Sequence, residues 1–182
     1  MGKKIVILGG SPRPNGNTEA LTAAFVESAR AAGHTVTQFH LQTMDLHFCR
    51  GCGRGGRDRE HPCVQRDDMD QVYAAYLDAD VIVLASPMYY WNVSAQLKCV
   101  LDRLYAVTEL AGHLPRESVL LMAAGGSSEE NFAPMRHMYR ALAANMGWTD
   151  RGMVCAGGND EPGDVLRRKD QLDEARRIAA EL

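Results

Sequence analysis

Lys4-Ile5-Val6-Ile7-Leu8-Gly9-Gly10-Ser11-Pro12-Arg13-Pro14-Asn15-Gly16-Asn17-Thr18 is an apolar run that empties into a turn of glycines, prolines, hydroxyls and amides. The residues after Thr18 have helical spacing. A strand feeding such a turn into a helix makes an anion site. Backbone N–H groups of the turn converge with the unpaired first N–H groups of the helix, and the helix dipole favours negative charge there. Ser11, Asn15, Asn17 and Thr18 add side-chain donors, and Arg13 adds a charge. A phosphate suits this turn. A plain polar βα turn with Ser and Asn capping the helix has the same composition, and the turn alone does not separate the two.

Spacing excludes two familiar phosphate loops. Five residues lie between Gly10 and Gly16, one too many for a Walker A loop, and Asn17 stands where its lysine belongs. Without that lysine a magnesium triphosphate is not the expected guest. The G-x-G-x-x-G pattern of dinucleotide folds is absent as well.

The remaining chain sets the context. Apolar runs or alternating β-rich segments at 4–8, 35–41, 81–85, 118–123 and 151–156 read as strands. Helical stripes cover about 18–32, with Gly33 beyond the end, and 68–77 behind Asp67 or Asp68. Others carry Leu97, Val100, Leu101 and Leu104, run over about 130–146 before Gly147, and close the chain around Leu172, Ala175, Ile178 and Leu182. Five strands alternating with five helices predict a parallel sheet covered on both faces, with right-handed crossovers. Ligands of such sheets sit beyond the carboxyl ends of the strands. Three loops of unusual composition then share one site: 10–18, 86–94 and 124–128. A long irregular stretch at 42–66 is the other oddity, and such loops are commonly functional.

Composition narrows the partners. A chain of 182 residues with 46% hydrophobic residues suits one domain, 1–182, with a real core. A net charge of −3 gives no argument for nucleic acid or a membrane surface. No signal peptide or membrane-length apolar run is visible, so a cytoplasmic location is expected. There the five cysteines are expected as free, metal-bound or redox-active groups rather than structural disulfides.

Together, the pieces resemble the flavodoxin-like NAD(P)H-dependent FMN reductases and their iron–sulfur flavoprotein relatives. The matching pieces are Gly10 to Thr18, Cys49-Arg50-Gly51-Cys52 with Cys63, and Asp67-Asp68-Met69. The others are Ser86-Pro87-Met88-Tyr89-Tyr90-Trp91-Asn92-Val93-Ser94-Ala95-Gln96-Leu97-Lys98 and Leu101-Asp102-Arg103. The likeness covers about 3–155. It implies a flavodoxin-like doubly wound five-stranded parallel sheet of order 2-1-3-4-5. It also implies one FMN per subunit, NADPH or NADH as reductant, and a homodimer or homotetramer with the flavin near the interface.

By carry-over, Ser11, Arg13, Asn15, Asn17 and Thr18 are the phosphate contacts. Pro87, Met88, Tyr89, Tyr90, Trp91 and Asn92 can offer the flavin ring an apolar wall with backbone hydrogen-bonding groups. Gly125, Gly126 and Ser127 can bring main-chain amides close to it. An exposed aromatic patch at a subunit contact is a second reading of Tyr89-Tyr90-Trp91. The expected reaction passes hydride from nicotinamide to flavin and then to a small acceptor, such as a quinone, flavin, nitro or azo compound. It needs no side-chain nucleophile or acid–base residue. A flavodoxin-type electron carrier is the alternative, although carriers are usually more acidic. A binding protein that uses the fold without flavin is a third class.

Iron–sulfur members carry a third cysteine three residues after the Cys-x-x-Cys pair, where Gly55 stands here. A four-iron cluster normally takes four thiolates. The preferred reading is three reduced thiols at Cys49, Cys52 and Cys63 without metal. A zinc site adding His47 or His61 stays open. Cys99 and Cys155 read as small apolar residues. Arg50, Arg54, Arg57 and Arg59 with Asp58 and Glu60 read as a solvated charge cluster, with one or two arginines as candidate partners of the NADPH 2′-phosphate.

Overall fold

The computed structural model describes residues 2–56, 58–111 and 116–182. Five parallel strands form the sheet: β1 (Lys4–Gly9), β2 (Thr35–His40), β3 (Val81–Tyr89), β5 (Arg116–Ala123) and β6 (Trp148–Ala156). Their order is β2-β1-β3-β5-β6, which is 2-1-3-4-5 when the long strands alone are counted. The additional strand is β4 (Asn92–Val93), two residues that fold back antiparallel on the end of β3.

The continuous apolar runs are central strands because they feed two cores. Ile5 and Ile7 of β1, with Val81 and Val83 of β3, face α1 (Asn17–Ala31) and α6 (Lys169–Ala180). Val6, Leu8, Ile82 and Leu84 face the other layer. That layer holds α2 (Met69–Asp78), α3 (Ala95–Arg103), α4 (Tyr105–Ala111) and α5 (Glu129–Met146). A strand with apolar residues at odd and even positions fits only between two such layers.

Several boundaries differ from expectation: β3 runs on through Ser86 and Pro87 to Tyr89 instead of ending at Ala85, and β5 starts at Arg116 instead of Ser118. The helix around Leu97–Leu104 stops at Leu104, which caps α3 before α4 begins at Tyr105. Strand β6 starts at Trp148 rather than near Arg151. Ala32 is the cap of α1, and Gly33 beyond it takes the left-handed φ of +88°. Gly147 closes α5 at φ +68°, as a left-handed C-cap should. The described residues between Met44 and Asp68 form no helix or strand. No helix is long and apolar enough to cross a membrane among the described residues.

Candidate functional site

Four loops meet beyond the carboxyl ends of β1, β3, β5 and β6. The first two are stitched together. Gly10 N–H donates to the Ala85 carbonyl at 2.8 Å. The Ser94 hydroxyl donates to the Gly10 carbonyl at 2.7 Å, while accepting from Leu97 N–H as the cap of α3. Ser94 N–H in turn donates to Ser86 Oγ. Any side chain at Gly10 would stand 2.5 Å from Ser94 Oγ, so glycine is what allows this approach. The other two loops are laced by Asn159 N–H donating to the Ala124 carbonyl and Gly158 N–H to the Gly125 carbonyl, each at 3.0 Å.

Between the loops runs a trough with two halves that share Met88, Ala124 and Gly125. One half, about 170 Å³, is bounded by Ser11, Arg13, Gly16, Asn17 and Thr18 on one side and by Asn159 and Asp160 on the other. Pro87 and Tyr89 also line it. The second half, about 290 Å³, is walled by Tyr90, Trp91, Gly126 and Asn131. The first half lies at the N-terminus of α1, whose cap Gly16 makes no side-chain bond to the helix. The first N–H groups of α1 thus stand at the end of that half.

Eleven of the fourteen residues singled out in the sequence line this trough. Asn15, Asn92 and Ser127 do not, and all three are exposed. Asn92 Oδ1 is taken by Val93 N–H at 2.8 Å. The Asn17 amide is also engaged: it donates to the Asn159 and Glu161 carbonyls and accepts from Val165 N–H. That leaves its backbone N–H for a guest, while the side chain ties α1 to the last loop. Ser11 Oγ accepts from Arg13 N–H at 3.2 Å and its hydroxyl donates to the Arg13 carbonyl at 3.0 Å, which shapes the turn; a phosphate would take that proton in place of the carbonyl.

The loop after β6 escaped the sequence reading. Asn159 is 5% exposed, and its Oδ1 is buried with no hydrogen-bond partner among the described residues. Its amide nitrogen is committed to Gly157 O and Gln171 Oε1, so Oδ1 is an acceptor that lacks a donor. Asp160 lies so close over Gly125 that a Cβ there would meet its Oδ1 at 2.0 Å. Arg13 and Asp160 are the formal charges that line this half. The signal was present: Gly157-Gly158-Asn159-Asp160 follows a strand and must leave the sheet at the same end as the other loops.

The hairpin joining β3 to β4 is strained. Tyr90 and Trp91 have φ of +48° and +56°, a left-handed pair of the kind usually built from Asn and Gly. Tyr90 is 97% exposed and Trp91 58%. Bulky residues held this way are found where a function requires the side chains.

The cysteine loop packs elsewhere, against α3 and α4. Cys49, Cys52, Cys63, Arg50 and Arg54 line a separate cavity of about 360 Å³. Gly55 lies against α4, where a Cβ would fall 2.7 Å from Ala106 Cα. The position where iron–sulfur members carry their third cysteine therefore has no room for a side chain. Three thiolates and this glycine do not fit a four-thiolate cluster. His61 Nδ1 is 3.0 Å from Asp70. Among the described residues no three His, Cys, Asp or Glu side chains are grouped to hold a metal ion. Cys99 is buried on α3 and Cys155 half-buried in β6. Arg54 and Arg59 are exposed, and Arg57 lies outside the described residues.

The sheet order and the trough at its carboxyl end define a flavodoxin-like α/β protein. The sequence profile of the NADPH-dependent FMN reductases matches residues 3–160, and the chain belongs to that family. An iron–sulfur flavoprotein of Archaeoglobus fulgidus is 34% identical over 144 residues, 76% of this chain and 63% of that protein. One from Methanosarcina thermophila is 29% identical over 165 residues, covering 89% of this chain and 81% of the relative. The chain thus spans less than two thirds of the Archaeoglobus protein's length. Among solved structures, an NAD(P)H:quinone oxidoreductase from Methanothermobacter marburgensis superposes with a TM-score of 0.77 at 19% identity, over 100% of this chain and 97% of that one.

Proposed function

We propose that the chain is an FMN-dependent NAD(P)H oxidoreductase that delivers hydride to a small flat acceptor of the quinone, flavin, nitro or azo class. The observation that carries this reading is the order of chemistry along one trough. It begins with helix N–H donors, continues with the acceptors of Asn159 and Asp160, and ends at an aromatic hairpin.

Each stretch suits one part of FMN. The α1 N-terminus, Ser11 and Arg13 can hold the phosphate dianion without lysine or metal. Asn159 Oδ1, a buried acceptor without a donor, suits a ribityl hydroxyl, which can donate to it. Asp160 is an acceptor too and fits the same polyol better than the phosphate. Met88 and Trp91 offer apolar surface to a flat ring, and the glycines at 125 and 126 let main-chain groups approach its edge. Bound FMN supplies hydride acceptance and donation. The residues here orient the rings and exclude water, and no side chain in the trough is needed as a nucleophile. A second copy of the chain, covering Tyr90 and Trp91, would complete the wall and give the homodimer that the family resemblance implies.

Titrating flavin-free protein with FMN and with riboflavin tests the binding half of the proposal, FMN being expected to bind more tightly because only it carries the phosphate. NADH and NADPH oxidation with a small quinone tests the rest. FMN uptake without turnover would identify an electron carrier. Failure to take up FMN would remove both readings.

A further inference from the structure

The cavity under the cysteine loop lies outside the trough, and its inner wall is a buried cation. Arg103 is 2% exposed, and its Nη1 donates to Asp67 and to the His47 carbonyl. Its Nε and Nη2 are buried with no hydrogen-bond partner among the described residues. Two unmade bonds on a buried guanidinium are expensive, so this edge calls for an anion. Cys49, Cys52 and Cys63 line the same cavity, and all three are free.

Cys63 is the thiol that can answer. Burial pushes its pKa up, but Gln65 N–H, the Arg103 guanidinium and the Tyr73 hydroxyl outweigh that and hold it below the ordinary thiol value. Cys99 and Cys155, in contrast, are pushed up by burial. A thiolate is the reactive form of cysteine, and a partly exposed one beside a cation reacts first. Cys63 is half-buried and opens onto the cavity.

We propose that Cys63, beside the unpartnered edge of Arg103, is a hydroperoxide-reactive cysteine, and that Cys52 closes a disulfide with it across this cavity. The Cys63 sulfur attacks one oxygen of the hydroperoxide. An S–O bond forms and the O–O bond breaks, its electron pair leaving on the other oxygen, which takes a proton from water. Cys63 is now a sulfenic acid, oxidised by two electrons, and the peroxide is reduced to an alcohol or water. The Cys52 sulfur then attacks the sulfenic sulfur. An S–S bond forms, the S–O bond breaks, and the hydroxyl leaves as water with the Cys52 proton.

Cys52 is the better partner because the backbone on either side of it is unpacked. It stands between Gly51 and Gly53, at φ +59° and +62°, and among the described residues no atom lies within 4 Å of where a Cβ at either glycine would be. The Cys49 sulfur already accepts from Gly51 N–H at 3.4 Å. None of this chemistry involves the trough, so it stands or falls separately from flavin binding.

The test exposes the full-length protein to one equivalent of hydrogen peroxide, with and without FMN, and maps its thiols by mass spectrometry. Wild type should lose two hydrogens and yield a Cys52–Cys63 cross-link. Cys52→Ser should stop at a sulfenic acid on Cys63 that dimedone traps, whereas Cys49→Ser should still form the disulfide. At pH 7, Cys63 should alkylate with iodoacetamide about tenfold faster than Cys52. Arg103→Gln should abolish that difference. Should that variant fail to fold, the exposed-site variants Cys49→Ser and Cys52→Ser still decide the matter. Equal oxidation of the three loop thiols, or a disulfide that excludes Cys63, would overturn the proposal.

Discussion

Asp67 and Arg103, 36 residues apart, form an ion pair whose side chains are 0% and 1% exposed. Asp67 anchors the loop before α2, and Arg103 ends α3. The carboxylate also accepts from His47 N–H at 2.8 Å and from Met69 N–H at 3.2 Å. One pair thus holds both ends of the irregular stretch against the helical layer.

Breaking this pair should unfold the region. Asp67→Asn removes the counter-charge from a buried guanidinium, which typically costs about 3–5 kcal/mol. Burial raises the Asp67 pKa, but Arg103 and the two N–H donors outweigh it and hold the carboxyl below its ordinary 3.8. The folded state therefore binds fewer protons than the unfolded chain in that range. The contribution is complete above the ordinary value and is lost as pH falls through the lowered one. Urea midpoints measured from pH 7 downward should drop steeply for wild type below pH 3.8. They should be lower overall for the variant, with less of that drop. Equal midpoints at pH 7 would contradict the role given to the pair.

Gly125→Ala probes the trough directly. Its new Cβ would displace the Asp160 carboxylate, which lies 2.0 Å from that position. The φ of Gly125 is not in the left-handed region, so the backbone tolerates alanine. Losing a placed acceptor typically costs about 1–3 kcal/mol, or roughly a fivefold to 150-fold rise in Kd. FMN titration of the flavin-free variant should show that rise, with Tm little changed. An unaltered Kd would remove Asp160 from the ribityl site.

The strained hairpin should trade stability for function. Trp91→Gly relieves a left-handed tryptophan at φ +56°, a conformation costing on the order of 1–3 kcal/mol. The variant is expected to melt higher than wild type, yet turn over NAD(P)H more slowly with a quinone acceptor, because the ring loses its wall. Unchanged turnover together with a higher Tm would leave the strain without a functional reason.

What the sequence reveals depends on whether neighbours in the chain are neighbours in space. Strands β1, β3 and β5 are legible because both of their faces are buried, which puts apolar residues at successive positions through their middles. The loops after them follow from topology. Asp67 and Arg103 are each visible as motif residues, but their pairing is a tertiary fact that no spacing encodes. The same holds for the Asn17 side chain, whose partners lie 142 to 148 residues away. The left-handed Tyr90–Trp91 turn is hidden for another reason. Local propensity assigns that geometry to Asn-Gly, and here tertiary context overrides it.

Restoring the cysteine that iron–sulfur relatives carry at the Gly55 position should not restore a cluster. Gly55→Cys places a Cβ 2.7 Å from Ala106 Cα, a backbone atom of α4 that cannot rotate aside. Overpacking of this kind typically costs about 1–3 kcal/mol, so Tm should fall. Anaerobic reconstitution with iron and sulfide should leave the visible spectrum without cluster absorption. Trimming Ala106 to glycine would leave the clashing Cα in place, so Gly55→Cys with Ala106→Gly should recover little of the lost stability. A stable Gly55→Cys variant that takes up four irons would show that the loop can leave α4. The close packing at Gly55 would then no longer explain why this chain carries only three of the four thiols.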